Sequence, residues 1–200
     1  MRPHYRIGWL ALRTLVWLVW GVRGRGADRM PASGPVLVAC NHISNWDPVL
    51  VGLACRRELH FLAKDGLFRN RVFGRLIRAY NALPVRRGGL DRRALSLAIG
   101  ILRRGDALLV FPEGTRSRSG EVGEARHGAA YMASAGGAVV VPAAVAGSNE
   151  LGRAFLRRRR VRVAFGGAIE AGAGSRAEYE ALTNRIMAAI GELRRELQEP

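Results

Sequence analysis

The sequence predicts an α/β fold: a mostly parallel or mixed central sheet flanked by helices, preceded by an N-terminal interfacial helix. Two observations carry the sheet. Short apolar runs alternate with longer amphipathic ones from residue 35 onward, and polar segments rich in site-like residues follow directly on the ends of apolar runs. A third observation carries the leading helix: residues 5 to 22 are strongly apolar, yet they hold Arg6 and Arg13.

At 200 residues the chain suits one domain with a real core. Residues 1–24 read as the interfacial helix and residues 25–200 as the globular domain. The formal charge is +16, and Lys64 is the single lysine among 32 cations, so arginine dominates. Such a surface is drawn to polyanions, whether anionic lipid headgroups, nucleic acid or a phosphorylated ligand. Cys40 and Cys55 lie inside apolar runs without metal-like spacing, and read as core thiols in a reducing compartment. No uncharged apolar stretch of about 20 residues is present to span a bilayer.

Taken in order, the first element is the helix. Arg6 and Arg13 are seven residues apart and share a face, with Trp9 and Trp17 each four residues from Arg13. Indole beside guanidinium is the chemistry of the headgroup layer, where the rings sit at the interface and the cations reach phosphate, though a buried core helix capped by its cations would show the same pattern. The Gly, Pro and Ser content of residues 21–35 then marks a connector. Strands are expected at 35–40, 59–63, 82–85, 106–111, 138–146 and 161–165. Helices are expected at 48–56, 66–79, 90–104, 126–135 and 176–197. Gly105 stops the third of these helices, and Ser175 through Glu178 forms a capping box before the last. The run Arg157 to Arg160 reads as a solvated face, with contact to an anionic bilayer or a coenzyme phosphate as the sharper alternative.

Two histidines precede an aspartate by five residues, His42 with Asp47 and His60 with Asp65. Context separates them. His42 follows the apolar run 35–40 and so stands at a strand end, while Asp47, before Pro48, reads as a helix N-cap. His60 opens a strand and Asp65 falls in the polar break after it, which is a structural setting. A carboxylate aiming an imidazole makes a general base, though Asp47 as a plain cap and His42 as a turn residue would satisfy the same local pattern.

A second strand end carries Glu113, Gly114, Thr115 and Arg116, with Arg118 just beyond. Gly114 permits a turn of positive φ, Thr115 offers a hydroxyl, and guanidinium forks match phosphate oxygens. A third short strand ends in Arg86 and Arg87. Together these loops describe a site for an anionic phosphate ester bearing a nucleophilic hydroxyl.

The blocks NHISNWDP, NALPVRRG, FPEGTRSRSG and VVVPAAV, in that order, resemble the four sequence blocks of the glycerolphosphate acyltransferases, most closely the bacterial 1-acylglycerol-3-phosphate acyltransferases. The likeness runs from about Pro35 to Phe165. It implies a glycerolphosphate-acyltransferase-like fold and transfer of a fatty acyl group from acyl-CoA or acyl carrier protein to the sn-2 hydroxyl of lysophosphatidic acid, forming phosphatidic acid in phospholipid biosynthesis. Under it His42 is the base and Asp47 its partner, while Arg87, Glu113, Gly114, Thr115 and Arg116 bind substrate. No cofactor or metal is implied, and membrane lipids are the expected partners, at the cytoplasmic face of the cell membrane. Arg86 departs from the acidic or neutral residue common in the second block, and Arg126-His127-Gly128 stands where relatives often place a lysine before the glycine.

Three alternatives stay in view. The acceptor could be another lysophospholipid or polar lipid. A basic nucleic-acid-binding module would explain the charge, but the tryptophans cluster in an apolar helix and not on a recognisable binding motif, so no nucleic acid is expected. A hydrolase could use His42 to activate water on a thioester. The chain has no G-x-S-x-G elbow, P-loop or metal-ligand cluster in its sequence.

Overall fold

The computed structural model describes residues 3–85, 92–117, 123, 125–151, 161–172 and 174–198. Seven strands form one sheet: β1 (Arg23–Arg25), β2 (Val36–Cys40), β3 (Leu59–Lys64), β4 (Ala82–Val85), β5 (Ala107–Val110), β6 (Val139–Ala146) and β7 (Arg162–Phe165). Their order is β1-β7-β6-β2-β5-β3-β4. All pairings are parallel except β6 with β7, so the sheet is mixed but mostly parallel, as expected. The central strand β2 is buried along its whole length, which is why it reads as an unbroken apolar run and not as an alternating one.

Six helices are described: α1 (Pro3–Trp20), α2 (Asp47–Ala54), α3 (Arg71–Ala79), α4 (Arg92–Arg103), α5 (Gly128–Gly136) and α6 (Arg176–Gln198). Val36, Val38 and Cys40 of β2 pack with α2 and with Trp9, Val16 and Trp20 of α1. Leu37 and Ala39 face the other way, onto α4, α5 and α6. The alternation of strand side chains thus divides the core into two layers. The capping box forms as expected: the Ser175 amide donates to Glu178 Oε2 (2.7 Å) and the Glu178 amide to Ser175 Oγ (3.2 Å). Gly105 ends the turn after α4 at φ +82°.

Three expectations need correction. The connector at 21–35 contains β1, whose Arg-Gly-Arg sequence carries no apolar signal and which is held by backbone pairing to β7. The helix expected at 66–79 is broken: a 3-10 turn at Asp65–Phe68 precedes α3, because Asn70 turns extended and its side chain accepts the Phe73 amide at 3.0 Å, starting a new helix. Asp47 is the first helical residue of α2 and not its cap. Trp46 occupies the cap position without a side-chain bond, so the carboxylate is left for other donors.

Helix α1 is fastened to the domain. Tyr5 and Val16 are buried, the Trp9 indole donates to Gly52 O (2.9 Å) and the Trp20 indole to Leu151 O (3.0 Å). Its opposite side carries exposed Ile7, Leu10, Leu15, Trp17 and Leu18. Among the described residues no helix is long and apolar enough to cross a membrane.

Candidate active site

The site lies where β2, flanked by β5 and β6, ends, and in a parallel sheet neighbouring strands deliver their following loops to the same edge. His42 follows β2 by two residues and Glu113 follows β5 by three. Both are nearly closed from solvent, at 6 % and 7 % exposure, and Asp47 is fully buried.

His42 Nδ1 lies 2.9 Å from Asp47 Oδ2. The same oxygen accepts the amides of Ile43 and Ser44, each at 2.7 Å. These bonds, made because Asp47 sits inside the helix end and not ahead of it, clamp the whole 42–47 turn around one carboxylate. An ionised carboxylate is acceptor-only, so Nδ1 is the protonated nitrogen, which in the neutral imidazole leaves the lone pair on Nε2. The imidazole stacks on Phe111, with ring centroids 4.0 Å apart and 17° between planes, which fixes the ring plane.

Glu113 is tied to the same turn, since the His42 amide donates to its Oε1 at 3.2 Å. Burial raises its carboxyl above the ordinary value, against the lowering effect of the His42 and Gly123 amides and of the charges at His42 and Arg194. The third-block loop is stitched to the first by the Ser117 amide, which donates to His42 O at 2.8 Å. Gly114 adopts φ +67°, a left-handed conformation that favours glycine, and Arg126 lies in ordinary contact distance of the turn, its Nε 3.6 Å from where a Cβ would stand. Thr115 and Arg116 are exposed beside these groups.

The structure therefore gathers His42, Asp47, Glu113, Gly114, Thr115 and Arg116 at one sheet edge. Arg86, Arg87, Arg118 and the run 157–160 lie outside the described residues. His60 lies apart in β3, and Asp65 accepts the amide of its neighbour Gly66 at 2.7 Å.

Two site residues escape a reading of the sequence. Ser148, just past β6 and 1 % exposed, donates its hydroxyl to Asp47 Oδ1 at 2.5 Å. Asn41 uses its amide as a strand would: Nδ2 donates to Val145 O (3.0 Å) and Oδ1 accepts from Val145 N (2.8 Å), carrying the β2–β6 pairing up to His42. The available signal was NH at the start of the first block and GS after the fourth, neither specific alone. Cys40 is buried beneath the site, where burial above all, with the charges of Asp47 and Glu113, holds its thiol well above the ordinary value and makes it a poor nucleophile. Among the described residues no three His, Cys, Asp or Glu side chains gather as a metal-ligand set.

Such an arrangement can accept a proton at Nε2 from a hydroxyl presented between the imidazole and the guanidinium side of the loop. Known proteins bear on which hydroxyl. A family model described as acyltransferase matches residues 21–146, more than half of the chain. A 1-acyl-sn-glycerol-3-phosphate acyltransferase of Bacillus subtilis is 28 % identical over 195 residues, covering 94 % of this chain and 96 % of that protein. One from Streptococcus pneumoniae is 31 % identical over 164 residues, covering 78 % of this chain and 60 % of that protein. The crystal structure of a 1-acyl-sn-glycerophosphate acyltransferase from Thermotoga maritima aligns over 100 % of this chain and 85 % of its own, with a TM-score of 0.79 at 24 % identity, a likeness of fold.

Proposed function

We propose that this chain, which belongs to the acyltransferase family, moves a fatty acyl group from acyl-CoA or acyl carrier protein to the sn-2 hydroxyl of 1-acylglycerol-3-phosphate. The observation that carries the reading is His42 with Nδ1 held 2.9 Å from a buried Asp47, at a strand end shared with Glu113 and an exposed Arg116.

In the reaction, the acceptor hydroxyl attacks the thioester carbonyl. As the new C–O bond forms, the hydroxyl proton passes to His42 Nε2, and Asp47 steadies the imidazolium. Collapse of the tetrahedral intermediate breaks the C–S bond, and the departing thiolate takes the proton back. A thioester is already activated, so no enzyme nucleophile is needed, consistent with the inert Cys40. Arg116, and Arg87 by its place in the second block, hold the acceptor phosphate. Glu113, Gly114 and Thr115 shape the acceptor's remaining contacts. Residues 1–24 form a membrane-interface helix on an acyltransferase domain of residues 25–200, peripheral to the cytoplasmic face of the cell membrane.

The test is a screen of purified protein with acyl-CoA against lysophosphatidic acid, glycerol-3-phosphate and other lysophospholipids. Ester formation on lysophosphatidic acid in preference to the rest supports the reading. Free fatty acid released independently of any acceptor overturns it in favour of thioester hydrolysis.

A further inference from the structure

Helix α3 is built the wrong way round for a helix of a globular domain. Of its nine residues only Gly74 is buried, and Val72 (78 %), Phe73 (44 %) and Leu76 (53 %) are exposed. At about 100° per residue, Val72 and Leu76 project within roughly 40° of each other and lie broadly opposite Gly74. Gly74 packs against the turn that precedes α3, since a Cβ there would come 2.9 Å from Phe68 O. The apolar ridge is therefore exposed, with the exposed cation Arg75 beside it, while Arg71 and Arg78 lie toward the Gly74 side, Arg78 over the Phe68 ring. Leu67, in the turn before it, is 47 % exposed.

This ridge continues a surface. Both crossovers β2-α2-β3 and β3-α3-β4 step the same way along the sheet, so their right-handedness sets α2 and α3 on one face. Helix α1 packs on that face against α2 and reaches α3, where Tyr5 and Tyr80 stand 5.5 Å apart between ring centroids and Gly8 lies close against the Tyr80 ring. Helices α1 and α3 are thus joined at one end, and each carries exposed apolar side chains. The turn that starts α3 follows the carboxyl end of β3, the edge of the sheet at which His42 stands.

From this geometry we propose that α3 is a second membrane contact, separate from α1, which lays Val72, Phe73 and Leu76 into the headgroup boundary of an anionic bilayer while Arg75 at the edge of the ridge pairs with lipid phosphate. Apolar residues flanked by arginine suit an anionic lipid surface better than a neutral one or an apolar protein groove. The inference goes beyond the proposed reaction, and binding is read without turnover, so the two fail separately.

In the full chain, Leu76→Cys carries an environment-sensitive fluorophore, since Cys40 and Cys55 are buried. Glu192→Cys on α6, packed against the opposite face, is the control. Phosphatidylglycerol vesicles should shift the emission at position 76 to the blue, with weaker effect from phosphatidylcholine or at high salt, and leave position 192 unchanged. The variant V72S/F73S/L76S, with its circular dichroism and melting temperature retained, should bind phosphatidylglycerol vesicles at least tenfold more weakly. Unchanged emission at position 76, or unchanged vesicle affinity of the folded variant, overturns the proposal. So does a shift without vesicles that grows with protein concentration, which would assign the ridge to a second copy of the chain.

Discussion

Ser148 donates its hydroxyl to Oδ1 of Asp47 at 2.5 Å, although 101 residues separate them in the chain. Asp47 Oδ2 is already occupied by His42, Ile43 and Ser44, so Ser148 is the described donor that holds the other oxygen. It thereby joins the end of β6 to the turn that carries the imidazole. Removing one partner of a buried bond to a charged group costs about 1.5 to 3 kcal/mol. We expect Ser148→Ala to lose stability on that scale in urea unfolding and to lower kcat more than it raises KM. Ser148→Thr, which keeps the hydroxyl, should recover most of both. A Ser148→Ala enzyme with normal kcat would show that the turn holds Asp47 unaided.

The proposed base makes a sharper demand. A positioned general base contributes on the order of 10²- to 10⁴-fold to a rate. His42→Ala should therefore lose transfer by at least 100-fold while circular dichroism stays native, and His60→Ala in β3 should keep most of it. Rapid turnover by folded His42→Ala would remove the assignment.

Most of the sheet was legible because its inner strands are buried on both faces and show as apolar runs: β2, β5 and β6 fall within a residue of expectation. Where side chains carry no burial signal the reading fails, as for Arg-Gly-Arg in β1. It fails also where one polar side chain redirects the backbone, as Asn70 does before α3. The His42–Asp47 pair was legible because both partners lie in one turn. Asn41 and Ser148 were not, because their partners lie 104 and 101 residues away and only the β2–β6 pairing brings them together.

Glu113 gives a prediction in pH. Burial raises its folded-state carboxyl above the unfolded value, so the folded chain holds this proton more tightly. Stability from that preference is present below the unfolded value and is lost as pH rises through the folded one. Glu113→Gln keeps an acceptor for the His42 amide without the charge. It should be more stable than the parent at neutral pH, with the gain shrinking toward acid pH in paired urea titrations. An equal difference at both pH values would show that charge burial is not the cause.

Arg116 is exposed at the rim, and under the proposed function its guanidinium fork binds the acceptor phosphate. Arg116→Ala should raise KM for lysophosphatidic acid several-fold and leave KM for the acyl donor nearly unchanged. A shift in the donor constant instead would place the coenzyme, and not the acceptor, beside this loop.

The last prediction concerns α1, where the obvious experiment is the wrong one. Deleting residues 1–24 would remove buried Tyr5 and Val16 together with the indole bonds of Trp9 and Trp20, so loss of membrane binding could follow from a damaged core. Ile7 (69 %) and Leu18 (68 %) sit on the opposite side of the same helix and touch the core least. Fully burying such a side chain is worth about 1.5 to 3 kcal/mol, and partial insertion at an interface about half of that. The variant I7S/L18S should then keep its melting temperature and its activity on detergent-dispersed substrate. Its affinity for phosphatidylglycerol vesicles should fall roughly 10- to 100-fold. Vesicle sedimentation identical to the parent would show that α1 is an ordinary packing helix whose outer apolar side chains meet only water.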